Sequence, residues 1–394
     1  MRILLAHDFY KNVGGEDIAT LADKKLLDDH GQDVLFYTRN NREIDDYSLP
    51  ERLALPLTTV HSLRTLHEVS SLVRQHKPDV AYIQNFFPLI SPSIYHTLYR
   101  LHVPIVQVIH DFRFLCPNGL FYTEGQVCER CKGGNYLHAV RHRCYRDSYF
   151  ASAVASSVIG LNRFAGMLDK ISAFVCLTEF SKRKLIEVGI PEDKIFVRPH
   201  YMDASRIVPS FGRGDYVLFL GRLTSEKGIW TLIRAFSHLN EVPLKIVGTG
   251  PLESDLRKYV REKCLRNVEL LGFKEGLEKW SLLLGSLFVI VPSEWYETFC
   301  LVVMEAYAAG KPVIGSDLGS LPSVIENGKS GLLFRTGDSD DLQDKIEHLL
   351  VHVDDVAKMG VYGRKLVDSK YHPELCYESL MEIFSCAVSR CSTS

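Results

Sequence analysis

Two acids, Glu297 and Glu305, lie eight residues apart on either side of the seven-residue stretch TFCLVVM. The run LFVIVPS (287–293) ahead of them reads as a buried parallel strand ending in a polar elbow, and the residues after it as a helix. Glu297 then sits in the elbow and Glu305 inside the helix, both facing the crevice at the strand's end. Phe299, Cys300 and Leu301 open the helix and aim free backbone N–H groups into that crevice, which is an anion site, and Thr298 just ahead of them is a further candidate donor-binding residue. A phosphate on the amides and hydroxyls on the acids is the chemistry this pattern asks for. Further upstream, Arg222 and Lys227 flank a loop at the end of another apolar strand, YVLFLG. Two phosphates need such cations: arginine grips in two-point fashion, and lysine acts as a point charge.

A second group of residues has metal-ligand spacing. Cys116, Cys128, Cys131 and Cys144 are separated by eleven, two and twelve residues. The close pair fixes two ligands, glycine-rich turns bring in the others, and a closed tetrathiolate is structural rather than catalytic. His138 and His142 are spare ligands for a site of three cysteines and one histidine, and reduced cysteines without metal are the plain alternative.

The elements that must position these residues alternate strand and helix. RILLAHDF (2–9), the Gly14-Gly15 elbow, a helix stopping at Gly31 and DVLFYT (33–38) open a doubly wound parallel domain. The rhythm continues through DVAYIQN (79–85) and PIVQVIHD (104–111), which places His110 at a strand's ligand edge, and breaks at the insert 112–147. It resumes over 172–203. DYVLFLG starts a second domain, in which LKIVGTGP (244–251) ends on Gly248 and Gly250. A dinucleotide fingerprint needs glycine where Glu253 stands, which removes the nicotinamide reading. VELLGF (268–273) is an edge strand whose end, Gly272 and Phe273, would wall a base. The fold class expected is α/β with two Rossmann-like domains: 1–205, 206–374, and a final helix in 375–394 returning to the first.

Bulk properties narrow the partners. The chain has 394 residues, 46% hydrophobic and 24% charged, with a formal net charge of -2. That balance argues against a nucleic-acid protein. MRILLAHDF is too soon interrupted by His7 and Asp8 for a signal peptide, and no run approaches the ~18 apolar residues of a membrane span. A cytoplasmic protein is expected, and ten cysteines there are thiols or metal ligands. Residues 100–200 carry 14 Lys and Arg against 9 Asp and Glu. Arg141, Arg143 and Arg146 are among them, and a face resting on anionic membrane lipid is one reading of this excess.

The acids, set between a PS elbow and AYAAGKPV, together with GRLTSEKG (221–228) and VGTGP (247–251), resemble the signatures of retaining glycosyltransferases of family 4. The resemblance extends to a subgroup with a four-cysteine insert. It implies a GT-B fold, with two Rossmann-like domains across a cleft, the first binding the acceptor and the second the donor. It also implies a UDP-sugar or GDP-sugar donor and a glycan or lipid-linked acceptor in surface polysaccharide or glycoconjugate synthesis. No cofactor serves catalysis on this reading, and no divalent cation is required. Arg222 and Lys227 hold the diphosphate, Glu305 the ribose and Glu297 the donor sugar. His110 lies beside that sugar, Gly14 and Gly15 against phosphate and acceptor, and Gly248 and Gly250 near the nucleoside. Cys300 departs from the family, which has glycine there. Two other readings share the fold: an inert GT-B scaffold serving as a partner subunit, and a sugar-nucleotide epimerase.

Overall fold

Strand β1 (Arg2–Phe9) buries six consecutive residues, as a strand covered on both faces must. Around it the computed structural model, which describes residues 1–212 and 214–392, builds the first of two units. That unit comprises Met1–Thr123, Cys128–Pro199 and the chain from Cys376 onward; the second comprises Glu124–Val127 and His200–Leu375.

In the first unit β1 is joined by β2 (Asp33–Asn40), β3 (Val80–Ile83), β4 (Ile105–Ile109), β5 (Ala173–Cys176) and β6 (Ile195–Val197). They form one parallel sheet in the order β2-β1-β3-β4-β5-β6. The strand order reverses beside β1, and ligands bind doubly wound sheets at such reversals. Helix α1 (Gly15–Asp29) starts in the glycine elbow with Gly14 as its N-cap, and Asp17 Oδ2 accepts the Gly14 N–H at 2.8 Å. Helix α2 (Leu49–Val60) has no counterpart among the expected elements. Pro56 inside it interrupts the helical signal, because a proline there removes a backbone hydrogen bond. Helix α3 (Tyr149–Phe164) packs against α2.

The second unit repeats the plan. Strands β7 (Tyr216–Leu220), β8 (Leu244–Val247), β9 (Val268–Gly272), β10 (Ser286–Val291), β11 (Val313–Ser316) and β12 (Gly331–Phe334) run parallel in the order β9-β8-β7-β10-β11-β12. The reversal falls between β7 and β10, the strands that lead into the Arg222 loop and the Glu297 elbow. Helix α4 (Gly276–Gly285) precedes β10, and α5 (Leu301–Ala308) follows the elbow.

The final helix, α6 (Pro373–Ser392), belongs from Cys376 onward to the first unit. Phe384 meets the Tyr82 ring edge-on at 5.1 Å, and Tyr377 stacks on His30. Arg198 and Asp23 form a fully buried pair at 2.7 Å, and Arg198 Nε also donates to the Cys376 carbonyl.

Asp8, at the end of β1, is buried and its pKa is raised to about 7 by that burial, against the pull of the Leu89 and Ile90 amides. Its Oδ1 has no hydrogen-bond partner. The folded chain therefore holds this proton while the unfolded chain releases it. Stability is fully present below the unfolded value and falls as pH rises towards 7. Asp8→Asn should gain about 2–4 kcal/mol at pH 8 and little at pH 4, read from denaturant midpoints at the two pH values.

Candidate functional site

At the reversal in the second unit, Lys227 and Glu297 meet directly, Nζ to Oε1 at 2.7 Å. The same oxygen accepts Ser293 Oγ at 2.7 Å and the Trp295 indole N–H at 2.9 Å. Lys227 Nζ also lies 4.9 Å from the Trp295 ring centroid. Three donors fix the carboxylate of Glu297, which is buried. The loop after β7 reaches it because Gly228 takes φ +66°, and a Cβ there would stand 1.8 Å from the Pro292 carbonyl oxygen. Two further ties bind loop to elbow: Glu294 N–H donates to the Glu226 carbonyl at 2.8 Å, and Thr231 Oγ1 donates to Glu294 Oε1 at 2.6 Å.

Arg222 contacts Glu226 at 3.3 Å and leaves 63% of its side chain exposed, so its guanidinium can swing onto a ligand. The glycines after β8 hold this loop. A Cβ at Gly248 would lie 1.9 Å from the Gly221 carbonyl oxygen, and one at Gly250 would lie 2.5 Å from that of Leu223. Their absence of side chains thus serves loop-on-loop packing, whatever else they touch. Gly272 takes φ +71° in open space, and Phe273 beside it is 65% exposed.

The helix after the elbow begins slightly later than its sequence suggests. Leu301 is its first residue, Cys300 is the N-cap at φ -100° and ψ 99°, and Thr298 and Phe299 lead in. Cys300 is extended, a conformation open to any residue, so its side chain imposes no glycine-type strain. Burial, with Glu297 nearby, pushes its thiol up to about 12 and keeps it neutral. The Phe299 ring is held edge-on by His200 at 5.3 Å. Glu305, on α5, accepts Lys279 Nζ from α4 at 2.7 Å. Lys279 is a site residue that sequence spacing does not reveal, since α4 is a separate element.

The first unit carries its own polar pocket at the strand ends, lined by Glu16, Gln84, His110, Asp111 and Arg113 among others. His110 Nε2 is hydrogen-bonded to Gln84 Oε1. Gln84 Nε2 is buried and has no partner, so it is a donor in search of an oxygen. Arg113 Nη2 contacts Asp111 Oδ2 at 3.1 Å, and Tyr10 donates to Glu16 Oε2 at 2.7 Å. Burial, then Asp111, raises the Glu16 pKa well above the carboxylate range. Gly14 has ordinary extended backbone and Gly15 opens α1, so this elbow is open rather than strained. Glu16, Gln84, Asp111 and Arg113 went unseen in the sequence because three different strand ends supply them.

The four cysteines of the insert, with His138 and His142, line one small cavity. None is in a disulfide. Among the described residues no three His, Cys, Asp or Glu stand as a ready metal-binding group.

The fold is that of GT-B proteins. The solved structure of Anabaena HepE in complex with UDP superimposes with a TM-score of 0.67 at 20% identity, covering 98% of this chain and all of that one. Residues 24–206 match the family described as Glycosyltransferase Family 4, and residues 203–366 match Glycosyl transferases group 1. The chain belongs to these glycosyltransferases. An uncharacterized glycosyltransferase of Methanocaldococcus jannaschii is 30% identical over 218 residues, 55% of this chain and 59% of that protein. The amylovoran biosynthesis glycosyltransferase AmsK of Erwinia amylovora is 28% identical over 216 residues, 51% of this chain and 53% of AmsK. The chain thus spans little more than half the length of these two relatives.

Proposed function

We propose that this chain is a retaining glycosyltransferase. It takes a UDP- or GDP-linked sugar and passes the sugar to a glycan or lipid-linked acceptor in surface polysaccharide or glycoconjugate assembly. The observation that carries this reading is the second unit's switch point, where the Lys227–Glu297 pair, the Arg222 loop and the first turn of α5 come together. HepE was solved with UDP and AmsK is named for amylovoran biosynthesis; both support the donor and pathway classes.

In this reading Arg222, Lys227 and the amides around Cys300 and Leu301 hold the diphosphate. Glu305, oriented by Lys279, takes the ribose hydroxyls, and Glu297 takes those of the donor sugar. Gly248, Gly250, Gly272 and Phe273 border the nucleoside. The first unit's pocket binds sugar or acceptor hydroxyls through Gln84, His110 and Asp111, with the open elbow at Gly14 and Gly15 beside α1. The anomeric carbon–phosphate oxygen bond breaks and its electron pair stays on the diphosphate. The acceptor oxygen bonds to the same face of that carbon, and its proton passes to the departing phosphate. Glu297 suits a fixed charge better than a nucleophile, since three donors already occupy one oxygen. The two cations and the helix amides neutralise the leaving group, so the scheme includes no catalytic divalent cation.

The test is incubation with α-linked UDP- and GDP-sugars, with and without a polyprenyl-phosphate-linked acceptor, reading product stereochemistry by NMR. An α-linked product is expected. A β-linked product overturns retention, donor isomerisation without acceptor favours an epimerase, and no turnover favours the inert scaffold.

The same proposal places the protein on the cytoplasmic membrane face. Among the described residues no helix is long and apolar enough to cross a membrane. Helix α2 exposes Leu49, Leu53 and Leu57, four residues apart, and α3 beside it exposes Phe150 and Phe164. Arg141, Arg143 and Arg146 are exposed just before α3. An apolar stripe with basic neighbours fits an anionic bilayer surface. Replacing Leu53 and Leu57 together by glutamate should weaken sedimentation with phosphatidylglycerol vesicles by about tenfold or more, while neutral vesicles bind both forms poorly.

A further inference from the structure

We propose that the insert is a zinc module closed by Cys116, Cys128, Cys131 and Cys144 as a tetrathiolate. This does not rest on the transferase reading. The four residues come from three separate stretches of the insert, yet they line a single small cavity together with His138 and His142. On one side of it Cys131, Tyr136, Ala139 and Ile159, with Cys144 against them, form an apolar cluster of their own. With no disulfide among the cysteines, a segment of this kind lacks a staple, and a metal is the usual one.

Two of the cysteines head the same kind of turn. CPNG (116–119) and CKGG (131–134) each reach a left-handed glycine, Gly119 at φ +78° and Gly134 at φ +93°. Each of these glycines donates its N–H back to the cysteine carbonyl, at 2.8 and 2.9 Å. Such turns hold Cys116 and Cys131 in fixed loops at the wall of the cavity.

As placed, Cys116 Sγ donates to Asn118 Oδ1 at 3.0 Å and Cys144 Sγ points to Thr123 Oγ1 at 3.5 Å. Sulfurs around zinc, with Zn–S of about 2.3 Å, stand about 3.8 Å apart. Rotation of these thiols off their oxygen partners and into the cavity is the change the proposal requires. His142 Nε2 is already engaged by Arg130 Nη1 at 2.9 Å, which favours four thiolates over a mixed set. A tetrathiolate around zinc carries a formal charge of -2. Arg130, which reaches His142 at the cavity, offsets part of it, and Arg141 and Arg143 flank His142 in sequence.

The experiment is elemental analysis of the full chain purified from medium containing both zinc and iron, followed by cobalt substitution. One zinc per chain is expected, and the cobalt form should show thiolate-to-metal charge-transfer bands with tetrahedral d–d absorption. Cys128→Ser with Cys131→Ser should abolish the metal; should that variant fail to fold, the wild-type stoichiometry and cobalt spectrum still decide. Metal well below one per chain, iron in place of zinc, or a cobalt spectrum without thiolate character overturns the assignment.

Discussion

Lys227→Ala should lower turnover by roughly 30- to 150-fold, the equivalent of about 2–3 kcal/mol for one preorganised stabiliser of a departing charge. Its partner complicates the measurement in a useful way. Removing Lys227 strands Glu297, a buried carboxylate, and truncating one member of a buried pair costs about 3–5 kcal/mol of stability. The variant should therefore be both slow and less stable. Pairing Lys227→Met with Glu297→Gln removes both charges, so most of the stability should return while turnover stays low. If that double variant recovers activity along with stability, Lys227 acts only by neutralising Glu297 and the diphosphate role fails.

Gly228→Ala should be among the most destabilising conservative changes in the second unit. The residue sits at φ +66°, which costs an alanine about 1–2 kcal/mol. Its Cβ would also meet the Pro292 carbonyl oxygen at 1.8 Å, so the loop must move away from the elbow. Overpacking of this kind adds about 1–3 kcal/mol, for a total of about 2–5 kcal/mol. Moving the loop also separates Lys227 from Glu297. Melting curves should show the loss of stability, and nucleotide binding by surviving folded protein should weaken in parallel. Alanine at Gly31, left-handed as well but with nothing within 4 Å, isolates the conformational term. A Gly228→Ala variant no less stable than Gly31→Ala would show that the close approach to Pro292 is unimportant.

The sheet of the second unit was legible because each strand is a short apolar run ending in a polar or glycine turn. That pattern placed Arg222, Lys227, Glu297 and Glu305 on strand ends or the helix beyond, where they stand. Contacts that cross between elements were not legible. Lys279 reaches Glu305 from α4, and Ser293 and Trp295 bond Glu297 within a turn whose path the spacing does not dictate. In the first unit, His110 was visible as the end of an apolar strand. Gln84, which bonds it, looked like one more polar residue after a strand. The leucine stripe of α2 is masked in the sequence by Pro50 and Pro56, because proline ordinarily interrupts a helix; here one opens the helix and the other is tolerated within it.

The central claim is that the second unit binds a nucleoside diphosphate through the β7–β10 switch point. The most direct test is thermal stabilisation of the purified protein by UDP, GDP, ADP and CMP, with Glu305→Ala alongside. At about 100-fold over the dissociation constant a ligand adds about 2.7 kcal/mol, which a melting curve resolves. UDP or GDP should shift the wild type and leave Glu305→Ala unmoved. No shift with any of the four, or an equal shift in the variant, would contradict the account.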